Sequence, residues 1–177
     1  DGSASSRSVT VREMMEITER SMREVRLVIY TFSQSGRRFL SAPPVAEIDE
    51  DSVVSIAHDS LIKRWTRLKG WANEEAEAAE MYGRLCAGAA LYHDGKGSLW
   101  TDPELIMGLK WFNPEEYDED YSWRLSPNKG WSKRYENTEI DYDRAIEFLT
   151  LSHEDDLAAL KRDKEVDERK DNKRRRW

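Results

Sequence analysis

The chain has 177 residues, 38% of them hydrophobic and 36% charged, with a formal net charge of -7. That suffices for one domain or two small ones around a modest core, with seven Trp and seven Tyr supplying the large buried areas that the low apolar fraction lacks. The single cysteine, Cys86, excludes an internal disulfide and any CxxC metal or redox motif, and no apolar run approaches the ~18 residues that would span a bilayer.

A reducing compartment fits such a chain best. Its first residues, DGSASSR, contain no methionine, so a piece of a longer protein is expected. The charge is unevenly placed: residues 161–177 hold nine Lys and Arg against five Asp and Glu, which leaves the preceding 160 residues strongly acidic. An acidic body repels phosphates and makes a poor general nucleic-acid surface.

In chain order, Thr10 followed by Glu13 has the spacing of a reciprocal capping box and predicts a helix over about 11–20. Ser21 and Glu24 repeat the signature, and Val25, Val28, Ile29 and Phe32 then recur at helical spacing up to about Gly36. The run RRFLSAPP, stopped by Pro43 and Pro44, and the β-branched run SVVSIAH predict two antiparallel strands with an extended loop between them. Helices followed by such a hairpin form a winged-helix arrangement. Asp59 or Ser60 is placed to cap the next helix, in which Leu61, Ile62, Trp65 and Leu68 share a face. His58 then sits at a strand-to-helix junction.

The stretch 73–92 is strongly helix-prone, with Ala78, Met81, Tyr82, Leu85, Cys86 and Ala89 as its apolar stripe, and it ends at HDGKG. TDPEL offers Asp102 as a cap and Pro103 at the first helical position of a short helix to about Phe112. From Asp141 onward one long helix is expected, apolar at Ile146, Phe148 and Leu149 and almost wholly charged from Lys161. The fold class is thus mostly α with a small β-hairpin. A winged-helix domain covers 1–75 (hairpin about 37–57, following helix about 60–72), and a helical segment covers 76–153 with an aromatic-rich ordered loop at 113–140. A charged helical linker or tail over 154–177 completes the long C-terminal helix.

Chemistry-bearing motifs are few. HDGKGSL has glycines and a lysine but not the spacing of a GxxxxGK[ST] phosphate loop, and there is no HExxH, no GxSxG and no His/Cys cluster. No catalytic residue and no metal ligand are therefore assigned, and the chain is not expected to be an enzyme by itself. His58 stands apart, because an imidazole at a helix start can donate to a phosphate oxygen where anions are welcome. The commoner arrangement is a packed junction histidine bonded to a backbone carbonyl, and both readings stay open on the residues alone. A DNA-binding alternative would use LIKRWTRLK as a recognition helix bearing Lys63, Arg64, Arg67 and Lys69. Against it stand the acidic loop PPVAEIDED and the net acidic body.

The stretch from Asp51 to Trp111 closely resembles a segment of bacterial STAND-class signalling ATPases, the regulatory NTPases that include NACHT and AP-ATPase proteins. The resemblance rests on His58, Ser60, Leu61, Ile62, Trp65, Leu68, Trp71, Glu74 and Glu75, then Tyr82, Arg84, Leu85, Gly95, Leu99, Trp100, Asp102, Pro103, Leu105 and Trp111. The later WSKRY and AIEFLTLS extend it over about residues 37–153. It implies a winged-helix and helical region following an ATPase core, non-catalytic here, within a bacterial signalling protein of the conflict or defence type. Ala57-His58-Asp59 aligns with the Met-His-Asp motif of relatives, whose histidine contacts the β-phosphate of ADP. His58 and Asp59 are accordingly the implied conditional cofactor-binding residues, with ATP or ADP and Mg held by the parent protein and no cofactor by this piece. Implied partners are the upstream nucleotide-binding domain, a downstream repeat sensor or membrane segment, and further copies of the parent; nucleic acid is not expected. A cytoplasmic location follows, with a membrane tether after Trp177 as an option suggested by the basic cluster KRRRW.

Overall fold

The computed structural model describes residues 8–34, 38–58, 61, 64–117, 127–135 and 140–175, the side chains of 173 and 174 excepted. They divide into two compact units, residues 1–80 with 127–135 and residues 81–126 with 136–177. Helix predominates, beside one small antiparallel sheet.

The first unit begins with β1 (Val9–Thr10), α1 (Val11–Thr18) and α2 (Met22–Ser33). Both predicted capping boxes form: the Thr10 hydroxyl accepts from the Glu13 amide at 3.2 Å while Glu13 accepts from the Thr10 amide at 2.7 Å. Ser21 and Glu24 do the same at 3.4 and 2.9 Å. Each box satisfies amides that a helix start leaves without partners. Between the helices Glu19 turns into the left-handed region at φ 52°, which ends α1. β2 (Leu40–Ser41) and β3 (Val53–Ile56) make the predicted hairpin, with Leu40 opposite Ile56 and Ser41 opposite Ser55. A third strand, not expected, is β1, which pairs Val9 with Val54 and Thr10 with Val53 on the other edge of β3.

The connection between β2 and β3 carries one 3-10 turn, Val45–Glu47, and then returns carbonyls to α1. Val11 N donates to Ser52 O at 3.0 Å and Arg12 N to Glu50 O at 2.9 Å, so the sheet loop supplies acceptors for the head of α1. Val11, Val25, Ile29, Ile48 and Val54 form the core of this unit, with Met14, Met15, Met22, Leu40, Ala42 and Val45 packed against it. The i, i+4 pair Val25 and Ile29 is the buried stripe of α2.

Instead of two helices divided near residue 73, one helix α3 runs over Thr66–His93. Asn73 offers a weak break, but the run EEAEAAEMYGRL that follows has high helix propensity and overrides it. In the second unit α3 buries Met81, Tyr82, Leu85, Cys86 and Ala89, spaced to keep one face inward. The helix stops where expected, with Gly95 at φ 69°.

The next helix, α4, spans Glu104–Phe112, and here the cap differs: Pro103 occupies the N-cap position with no side-chain hydrogen bond, so Asp102 does not cap. The first turn is instead closed by Leu105 N donating to Thr101 O at 3.0 Å. Of the expected loop at 113–140, residues Pro114–Tyr117 form α5 and Lys129–Ser132 form α6, and residues 127–135 belong to the first unit. The long C-terminal helix, α7, covers Tyr142–Arg174 as expected. It buries Ala145, Phe148, Leu149 and Ser152, and from Lys161 to Asn172 every residue is exposed.

Trp100 organises the packing of this unit. Its ring meets Phe148 edge-on at 5.5 Å and lies so close to Gly88 that a Cβ there would sit 2.8 Å from Nε1. Its backbone amide donates to Ser152 Oγ at 3.0 Å. Among the described residues, no helix is long and apolar enough to cross a membrane.

Candidate functional site

β3 ends at Ile56, and Ala57 N is held by Phe39 O at 2.9 Å across the hairpin. The His58 carbonyl accepts from Leu61 N at 2.9 Å; Trp65 N donates to Leu61 O at 2.9 Å and Lys69 N to Trp65 O at 3.0 Å, the last at the start of α3. His58 therefore follows the strand almost directly, with one turn bond closing on its carbonyl. Its side chain is exposed, and among the described residues it has no hydrogen bond or ion pair. Asp59 and Ser60, the second motif residue and the alternative cap, lie outside the described residues, as does Lys63.

Aromatic rings brace the junction. Phe32 and Phe39 are 6.3 Å apart, Phe39 and Trp65 6.0 Å, and Trp65 and Trp71 6.1 Å, with the Arg67 guanidinium 5.2 Å from the Trp71 ring centre. This ladder ties α2, the hairpin and the start of α3 together, so the backbone that presents His58 is fixed by ring packing on both sides. The cations named for DNA binding are placed as follows: Arg64, Arg67 and Lys69 are exposed, with Arg67 lying on Trp71. The loop that would act as a wing carries Glu47, Asp49, Glu50 and Asp51, all exposed, and Arg12 is held by Glu50 and Asp51 at 2.8 and 3.0 Å. The Ser52 hydroxyl, donating to Asp49, holds that carboxyl below the usual range, so the loop stays anionic. Nothing in this geometry favours DNA.

Among the described residues, no group of three or more His, Cys, Asp or Glu is placed to hold a metal ion. One polar cluster that the sequence did not reveal joins Glu75 to Trp131, Arg134 and Tyr135 in the first unit. Its donors come from the WSKRY stretch, but their common acceptor lies 56 to 60 residues earlier, a separation no local pattern encodes.

No curated protein and no solved structure matches the chain. Residues 1–98, more than half of it and inclusive of the whole sheet, both capped helices and His58, match the family described as Novel STAND NTPase 1. The chain belongs to the Novel STAND NTPase 1 family.

Proposed function

We propose that this chain is the regulatory, non-catalytic module of a STAND signalling ATPase, and that His58 reports the nucleotide state of a domain elsewhere in the parent protein. The observation that carries this reading is the exposed imidazole just after β3, with no partner among the described residues, in a chain of an NTPase family. A histidine kept for packing would be buried or bonded to a carbonyl. An exposed one is free to donate to an anionic oxygen.

The order of elements supports treating the first unit as a winged helix: a short strand, two helices, and a hairpin whose inner strand pairs with both others. In such a module the contact between His58 and an ADP phosphate exists only when the nucleotide domain is closed against it. A bond made in one state and absent in the other biases a two-state equilibrium by its own free energy, about 1.5–3 kcal/mol for a charge-assisted hydrogen bond. Nucleotide and Mg are held by the upstream domain, and His58 supplies one hydrogen-bond donor to the nucleotide phosphate. The downstream sensor or membrane segment, and assembly of several copies, belong to the same reading.

Two measurements test it. Titration of the 177-residue chain by itself with ADP gives no saturable heat, since one donor is no nucleotide site; tight binding would overturn the division of labour. In the full-length protein, His58→Ala raises resting activity by weakening the ADP-closed state, and resting activity equal to the wild type would contradict the role of His58.

A further inference from the structure

α2 turns Val25 and Ile29 into the core, yet three of its other apolar residues face water: Leu27 is 64% exposed, Val28 53% and Tyr30 48%. Single apolar residues are ordinary on a surface, but these three adjoin one another on one helix and form a patch. Helical spacing sorts the outer side of α2 into two neighbouring rows, Arg23, Leu27 and Tyr30 in one and Glu24, Val28 and Thr31 in the other. An apolar centre thus lies between an Arg and Glu toward the N-terminal end and a Tyr and Thr toward the C-terminal end.

These flanking groups are unevenly satisfied within the chain. Thr31 Oγ1 donates to Leu27 O at 2.8 Å, while Glu24 accepts from the Ser21 amide and pairs with Arg20 at 3.6 Å. The side chains of Arg23 and Tyr30 have no hydrogen bond, ion pair or ring contact among the described residues. They are seven positions apart, about two turns, and so share one side of the helix.

A second copy laid parallel on this face would set Arg23 against Arg23. Laid antiparallel about a two-fold axis beside Leu27, it brings the Arg23 guanidinium of each copy to the Tyr30 ring of the other, while Leu27 and Val28 close on their own counterparts. The two arginines are then roughly 12 Å apart along the helix, beyond a Debye length at physiological salt. A foreign acidic helix would pair with Arg23 but would be repelled by Glu24 in the adjoining row. Only the antiparallel copy matches both unpartnered groups at once.

We propose that the outer face of α2 is a self-association surface on which a second copy of the chain docks its own α2 antiparallel. α2 has 12 residues, about 18 Å of helix, so the pair covers less than the ~1,200 Å² of a standard stable interface. The contact is therefore weak and reversible, and takes effect where copies are already concentrated. The inference goes beyond the role of His58 and does not depend on it.

The test is sedimentation equilibrium of the 177-residue chain from about 10 μM to 1 mM, over which the mass rises from monomer toward dimer. Leu27→Glu, at an exposed position outside the core, weakens association by about 30-fold or more with an unchanged circular dichroism spectrum. Leu27→Cys crosslinks to itself with a short bismaleimide because the residue lies by the axis, whereas Arg23→Cys and Tyr30→Cys crosslink only when mixed. Cys86 is buried, out of reach of the reagent. If Leu27→Glu alters the spectrum, Tyr30→Ala takes its place, weaker association supporting the pairing and unchanged association overturning it. A chain that stays monomeric to about 1 mM overturns the proposal and leaves the face to another domain of the parent or to a separate protein. Association that Leu27→Glu leaves unchanged, or dimers of Leu27→Cys that do not crosslink, also overturn it, since the copies then meet elsewhere.

Discussion

Ser152 is fully buried in α7, and its hydroxyl both donates to Phe148 O at 2.8 Å and accepts from Trp100 N at 3.0 Å. The first bond stays within its own helix, but the second ties the helix to the turn before α4. Ser152→Ala leaves the Trp100 amide without its acceptor, at a cost of about 1–3 kcal/mol. Denaturant titration followed by circular dichroism is expected to show the midpoint falling with an unchanged slope, as for any pure loss of stability. No periodicity in the sequence distinguishes Ser152 from a solvated helical serine, because its importance comes from an amide 52 residues away. His58 is the opposite case. Its junction is plain in the run VVSIAHDSL, whereas the choice between packing and ligand turns on exposure, which only coordinates supply.

At the level of elements, local chemistry that is written in three or four adjacent residues was readable, and pairing across distance was not. Both capping boxes, the hairpin and the long last helix follow from spacing and composition. β1 has two residues, too few for any alternation, and one of them, Thr10, doubles as the cap of α1. Asp102 carried the right residue type for a cap, but Pro103 takes that position with no side-chain bond. The capping of α2 also predicts a response to acid. The Ser21 hydroxyl, and then its amide, hold the Glu24 carboxyl below its ordinary range, so the unfolded chain takes up its proton first as pH falls. The cap's contribution is therefore complete above the usual carboxylate range and lost as pH drops through the lowered folded value. The protection of amides 22–26, taken relative to their intrinsic exchange rate at each pH, is expected to fall across that acid window in the wild type. Ser21→Ala lowers it already at neutral pH and flattens the acid response.

For the whole molecule, the family match over residues 1–98 takes in the sheet, residues 1–80 of its unit and all of α3, while the resemblance read from motifs begins near residue 37 and continues to about 153. The two overlap on the hairpin, the His58 junction and α3, which is where the nucleotide-sensing claim is located. What the motifs did not disclose is the return of residues 127–135 to the first unit, since chain order alone implies a sequential split. The charged stretch from Lys161 to Asn172 is exposed and lends no core to either unit. The account therefore rests on whether His58 touches nucleotide in the assembled protein. The most direct measurement is the dissociation rate of fluorescent ADP from full-length wild type and His58→Ala, with thermal melts to establish equal folding. The account predicts release faster by about 10-fold or more, the equivalent of one charge-assisted hydrogen bond; equal rates in two equally folded proteins would contradict it.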